Sequence, residues 1–274
     1  MTGRGISRFL LPAFTVLVVI FLFAPIAVMI IFSFNHPLGR QNITWQGFTF
    51  NNYLTLWGRP DITDPMVTSL EIAVLSTILA TIFGTMIAIA LARFEFGGRG
   101  AMNLLIFVPM TAPEVILGAS MLTLWISLGA ERGFVTILVA HIMFNISFVV
   151  VTVRARLAGL NRSLEEAGMD LYANGLTTFR KITLPIIFPG ILAAALLAFA
   201  LSIDDYVITS FNAGHAVTFP LWVFGVSRLG IPPQVNVLGT LVFLIAFVFI
   251  GIQYWSQRRA GRTAEAGPVT MVGR

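Results

Sequence analysis

Cysteine is absent from the 274-residue sequence, which removes disulfides, thiolate metal sites and cysteine nucleophiles from consideration. Charge is scarce. Asp, Glu, Lys and Arg together supply 11% of the residues, whereas a soluble globular domain carries roughly 25%. No Gly-rich loop ending in Lys-Ser/Thr occurs, so any ATP-driven work needs another chain. A cleavable leader is also missing from the pattern. Arg4 and Arg8 precede an apolar run, but that run, Phe9 to Phe34, is too long for a signal h-region and no small-residue cleavage site follows it. It reads as an uncleaved first membrane span.

Apolar residues are what the sequence has in excess: 57% of the chain, with a mean hydropathy of +0.89. One water-soluble core of this length could not hide so much apolar surface, so lipid must solvate much of it. Helices of about 20 apolar residues cross a bilayer. The segments that qualify are 10–34, 66–92, 102–128, 134–154, 188–210 and 236–256, which predicts an all-α membrane protein of about six spans forming one transmembrane domain over residues 1–274. The net charge of +5 fits basic membrane loops better than nucleic-acid binding. Thirteen of the 17 basic residues fall in alternate compartments: Arg4 and Arg8; Arg93 and Arg99; the loop from Arg154 to Lys181; and the C-terminal segment holding Arg258 to Arg274. Arg40, Arg59, Arg132 and Arg228 lie on the opposite side. The positive-inside rule then puts both termini in the cytoplasm, which requires an even number of spans. Two stripes of small residues, Ala80-Gly84-Ala88-Ala92 and Gly190-Ala194-Ala198-Ser202, predict close helix packing within a bundle or at a subunit interface.

The longest of the basic connections, Ala155 to Ile187, has helical order of its own. Leu160, Leu164, Ala167 and Leu171 recur on one face, with Arg162, Glu165, Glu166 and Asp170 opposite. Ser163 with Glu166 has capping-box spacing, Gly175 is expected to end the helix, and Pro185 and Pro189 punctuate the return to the membrane. The acidic residues disfavour an anionic lipid surface and favour a groove on a partner protein.

Glu166-Ala167-Gly168, then Tyr172, then Ile182-Thr183-Leu184-Pro185 resembles the loop of binding-protein-dependent ABC importer permeases. In that family the pattern runs Glu-Ala-Ala, three residues, Gly, nine residues, Ile-x-Leu-Pro. The spacing agrees throughout, with two departures: Gly168 replaces the second Ala and Tyr172 replaces the Gly. The resemblance extends over about residues 50–255, and Ser202-Ile203-Asp204-Asp205-Tyr206-Val207-Ile208 is most similar to spermidine/putrescine permeases. It implies a type I importer bundle in a bacterial inner membrane, with residues 163–176 docking on an ATPase. The coupling residues would be Glu165, Glu166, Ala167, Gly168, Asp170, Leu171, Tyr172, Leu184 and Pro185. The implied partners are a second permease subunit, a cytoplasmic ATPase dimer that carries ATP and Mg, and an extracytoplasmic substrate-binding protein. This chain itself would bind no cofactor, no metal and no nucleic acid, and would not be an enzyme.

Four carboxylates fall within the predicted spans: Glu71 near the outer surface, Glu114 near mid-depth, and Asp204 and Asp205 in the outer third. Intramembrane charge is costly, so such groups face a bundle interior or water. For a cationic substrate Glu114, Asp204 and Asp205 would supply charge pairing, and Tyr206 and Trp222 cation–π contact. The structural alternative is that Asp204 and Asp205 satisfy helix ends or pair with Arg228. Pro109 and Pro113 predict a break in the third span, and His141 and Asn145 predict a polar contact between helices. Two other functions fit worse. An intramembrane aspartyl protease needs carboxylates facing each other from different helices, whereas adjacent residues point about 100° apart. A secondary carrier would show a doubled repeat, and six unduplicated spans do not. Polyamine is the first substrate reading and another small solute the second.

Overall fold

Proline and glycine mark several of the breaks between apolar helices. The computed structural model describes residues 3–39 and 41–265; Arg40 and Arg274, counted in the charge asymmetry, lie outside them. A single isolated bridge, Asn35 to Phe48, is the β pairing among the described residues, and all other regular structure is helical. In chain order the helices are α1 (Gly3–Ser33), α2 (Asn51–Leu54) and a 3-10 turn (Leu56–Gly58), then α3 (Pro60–Arg93), α4 (Arg99–Thr111), α5 (Glu114–Ser127) and α6 (Phe134–Ala158). There follow α7 (Ser163–Asp170), α8 (Gly175–Thr178), a π turn (Phe179–Thr183), α9 (Leu184–Ile203), α10 (Val207–Asn212), α11 (Phe219–Val226) and α12 (Pro233–Glu265).

Four stretches among the described residues are long and apolar enough to cross a bilayer: Leu10–Ser33, Pro60–Arg93, Phe134–Ala158 and Gly175–Ile203. The pair α4 and α5 makes a fifth if taken as one span, bent by 110°. Its cause is the predicted one. Pro113 lacks an N–H and its ring forces Ala112 into an extended conformation (ψ 137°), so helix stops at Thr111 and restarts at Glu114. The predicted sixth span falls on α12, whose apolar stretch among the described residues is the shorter Pro233–Val248. The fifth span differs from its predicted bounds of 188–210 at both ends. Its helix starts at Gly175, passes through the π turn, and stops at Ile203, so residues 204–206 interrupt what hydropathy reads as continuous.

The chain divides into two units, residues 1–60 with 226–274 and residues 61–225. In the first, α1 packs on α12, where Gly239 admits the Met29 Sδ within 2.6 Å of the position a Cβ would take. Leu11, Phe14 and Phe21 on α1 are at least two-thirds exposed, a surface suited to lipid. The segment after α1 is knotted by buried Asn35, whose Nδ2 donates to Asn42 Oδ1 and the Thr44 carbonyl while its Oδ1 accepts the Gln46 N–H.

In the second unit the small-residue stripes do what their spacing predicts. Ala80, Gly84 and Ala88 are buried on α3, and Ala194, Ala198 and Ser202 on α9, around Val149, Val150 and Val153 of α6. Lipid gives apolar helices no hydrophobic reason to associate, so close backbone approach carries the packing. Ala92, at the end of its stripe, is exposed. Gly84 is a close point between α3 and α6: a Cβ there would lie 2.7 Å from Val149 Cγ1 and 3.2 Å from the Ile146 carbonyl oxygen. Gly84→Ala is therefore expected to lower the melting temperature of the purified chain by a few degrees. The overpacking cost is about 1–3 kcal/mol, offset in part by about 1 kcal/mol of helix propensity. Adding Val149→Ala should recover part of the loss, and an unchanged melting temperature in the single variant would rule out the close crossing.

Candidate translocation and coupling sites

Two places in residues 61–225 gather the chemistry. The first is the break between α9 and α10. Asp205 supplies the cap that starts α10: its Oδ1 accepts the Ile208 N–H (3.3 Å), and its Oδ2 accepts the Thr209 N–H and Oγ1–H (both 2.7 Å). His141 of α6 brings Nε2 to 3.3 Å from the same Oδ2 and 2.9 Å from Thr209 Oγ1. Its Nδ1 meets Ser202 Oγ at 2.6 Å, and Ser202 Oγ meets Ser76 Oγ of α3 at 3.0 Å. The side chains of His141 and Asp205 are 3% and 7% exposed. One polar chain thus links α3, α6, α9 and α10, each member satisfied by another, as burial demands.

This geometry separates the two aspartates. Asp205, expected on the substrate path, is turned inward and holds α10 and His141; its oxygens are already occupied. Asp204 caps the end of α9 and is exposed. Tyr206 packs against Phe224 with ring centroids 4.6 Å apart and planes tilted by 39°, while Trp222 lies half-buried on α11. His141 makes the predicted contact between helices, but Asn145, one turn further along α6, is fully buried with neither amide atom hydrogen-bonded to protein.

Glu114 is the first residue of α5, exposed, just after the bend. Helices α5 and α10 pack together: Phe211 fills the space over Gly118, Leu117 shares a cluster with Ile208, and Trp125 Nε1 donates to Asn212 Oδ1 (2.8 Å). These contacts run in the same order along both helices, so their N-terminal ends lie on one side. Both breaks in the apolar helices therefore carry an exposed carboxylate, Glu114 and Asp204, at like ends of neighbouring elements. Glu71 is exposed on α3.

The second place is α7. Its start differs from the expected capping box: Ser163 is the first helical residue, no side chain caps the Arg162 position, and Asn161 Oδ1 accepts the Ser163 N–H (3.1 Å). Its end comes at Asp170 rather than Gly175, which instead opens α8 behind an Asn174 cap. Glu165, expected among the docking residues, faces the protein. Its Oε1 accepts Arg93 Nη2–H from the end of α3 (2.8 Å) and Thr183 Oγ1–H from the π turn (2.6 Å). Gly168 is buried because the Ile182 side chain lies over it, Cδ1 being 2.5 Å from where a Cβ would sit. That contact accounts for glycine at this position. Glu166, Ala167, Asp170, Leu171 and Tyr172 are exposed, and Leu184 and Pro185 open α9, with Pro185 in the first turn where its missing N–H is harmless.

Comparison with known proteins bears on both places. The family described as "Binding-protein-dependent transport system inner membrane component" matches residues 80–262. The chain belongs to this family. This chain is 37% identical over 246 residues to the spermidine/putrescine transport system permease protein PotC of Escherichia coli K12, covering 89% of this chain and 92% of the relative. It is 40% identical over 243 residues to the putrescine transport system permease protein PotI of the same strain, covering 86% and 85%. In fold it is similar to a bacterial ABC transporter involved in the import of the acidic polysaccharide alginate, with a TM-score of 0.64, 17% identity, and 94% and 98% of the two chains covered. The match spans both the α7 loop and the α9–α10 break.

Proposed function

We propose that this chain is the membrane-spanning permease of an ATP-driven importer of polyamines, forming the path for spermidine or putrescine. The observation that carries the substrate is the 37–40% identity, over nearly nine-tenths of the chain, to two permeases whose names share putrescine. Fold alone does not decide it, since a chain of like fold serves an acidic polysaccharide. Exposed carboxylates at both helix breaks, Glu114 and Asp204, favour a cation, because each ammonium group needs an acidic or aromatic partner that replaces water.

In this reading the α7 loop and both termini are cytoplasmic, as the basic residues prefer. The exposed side of α7 meets a cytoplasmic ATPase dimer that holds ATP and Mg, a second permease completes the path, and an extracytoplasmic binding protein delivers substrate. The test is uptake of radiolabelled putrescine and spermidine by cells lacking their own polyamine importers and expressing this chain with its partner subunits. Saturable, ATP-dependent uptake of either supports the assignment. Uptake of neither, with transport of another small solute, replaces the substrate and keeps the importer.

A further inference from the structure

The end of α7 carries a strained residue at a position where strain is easily avoided. The Ala173 N–H donates to the Gly168 carbonyl (3.1 Å) and the Tyr172 N–H to the Met169 carbonyl (2.9 Å). Those two bonds define the Schellman ending, in which the first residue past the helix adopts a left-handed conformation and is normally glycine. Here that residue is Tyr172, at φ 62°, the one non-glycine with positive φ among the described residues. An L side chain in this region is disfavoured roughly five- to thirtyfold, a penalty glycine escapes.

Nothing among the described residues repays that penalty. Tyr172 is 100% exposed, so its ring packs on no other part of the protein. Strain held at a surface position points to a use outside the folded chain. The surroundings say what kind. Leu164, Met169, Leu171 and Leu176 are exposed apolar neighbours in sequence, and Glu166 and Asp170 are exposed acids on the same short helix. Anionic lipid is disfavoured by those acids. An apolar cleft with a basic rim on a protein is favoured, and a left-handed backbone that sets the direction in which the Tyr172 side chain leaves the helix suits such a cleft, because the backbone part of the ordering cost is met before docking.

We propose that Tyr172 is the anchor by which this permease grips its ATPase: the left-handed turn directs the side chain outward from the end of α7, toward the partner's cleft. This rests on the ATPase assignment made above. It adds that a residue at the helix end, rather than the helix face alone, sets the affinity.

The experiment uses the assembled transporter and three variants. Tyr172→Gly removes ring and strain together, Tyr172→Asn removes the ring while tolerating the turn, and Tyr172→Phe keeps the ring. ATPase dissociation from detergent-solubilised complex and the melting temperature of the permease alone are both measured. Tyr172→Gly is expected to melt no lower than the parent yet to lose the ATPase about tenfold more readily, Tyr172→Asn to behave alike in binding, and Tyr172→Phe to stay within about twofold. A merely structural tyrosine would not separate stability from affinity in this way. Glu166→Lys distinguishes the two layers of the argument. If it loosens the ATPase while Tyr172→Gly and Tyr172→Asn bind like the parent, the anchor is overturned and the docking surface stands. If none of these variants changes dissociation, both fall.

Discussion

Arg93→Ala is expected to reduce transport-coupled ATP hydrolysis about tenfold while leaving the membrane helices assembled. The reason is the mechanical position of Glu165. One carboxylate oxygen joins α7 to the last turn of α3 through Arg93 and to the start of α9 through Thr183. A motion at the exposed face of α7 can therefore reach two long apolar helices without passing through a flexible loop. The ion pair is only 16% exposed on either side, and a hydrogen bond to a charged group in such a setting contributes about 1.5–3 kcal/mol. With about 1.4 kcal/mol per factor of ten, losing Arg93 leaves α7 attached in its working register in a minority of molecules. Glu165→Gln, which can still accept from Thr183 and Arg93, should cost only a few-fold. Exchanging the two charges, Arg93→Glu with Glu165→Arg, should recover part of the loss. The measurement is substrate-stimulated hydrolysis by the reconstituted transporter, per assembled complex. Full coupling in Arg93→Ala would show that the pin does not transmit motion.

Much of this arrangement was legible in the residues, and the failures have physical causes. Pro113 announced a broken third span because a missing N–H cannot be disguised by hydropathy, whereas Pro109, expected to share in the break, lies inside α4. The stripes Ala80-Gly84-Ala88 and Ala194-Ala198-Ser202 announced helix contact because small side chains at a four-residue period leave one backbone face open. The α9–α10 break was not legible. Its flanks, Leu197 to Leu201 and Val207 to Ile208, are as apolar as a continuous span, and the interruption is made by one polar side chain capping the next helix. Asp205 carries a cap signal and a substrate signal in the same carboxylate, and only its partners decide between them. The inward turn of Glu165 escaped for a related reason: helical periodicity assigns a residue to a face, but Arg93 lies 72 positions away in sequence. Tyr172 was visible as a departure from the family's glycine, yet its backbone angle could not be inferred, since tyrosine ordinarily avoids it.

The two adjacent aspartates should fail in opposite ways. Asp205→Leu is expected to lose most of the folded transporter. It leaves the Ile208 and Thr209 N–H groups and His141 without their acceptor in a largely buried site, and each orphaned group costs about 1–3 kcal/mol. Asp205→Asn keeps one acceptor oxygen and should lose less. Asp204→Asn is expected to fold and assemble at parental levels, because its exposed carboxylate supports no helix start, while putrescine uptake per assembled complex falls about tenfold. A charge facing an ammonium near a protein surface is worth up to about 4 kcal/mol at 4 Å, of which a mobile cation that must leave again can use only part. His141→Leu should resemble Asp205→Leu in yield, and the double variant should be little worse than either single one, since both remove the same contact. Uptake and yield must be measured on the same membranes, so that transport is expressed per complex. If Asp205→Leu assembles normally and loses only uptake, the buried network is not what holds the break, and Asp205 returns to the substrate path. If Asp204→Asn transports putrescine at the parental rate, the exposed carboxylate is not on that path, and Glu114 remains the acidic group to test.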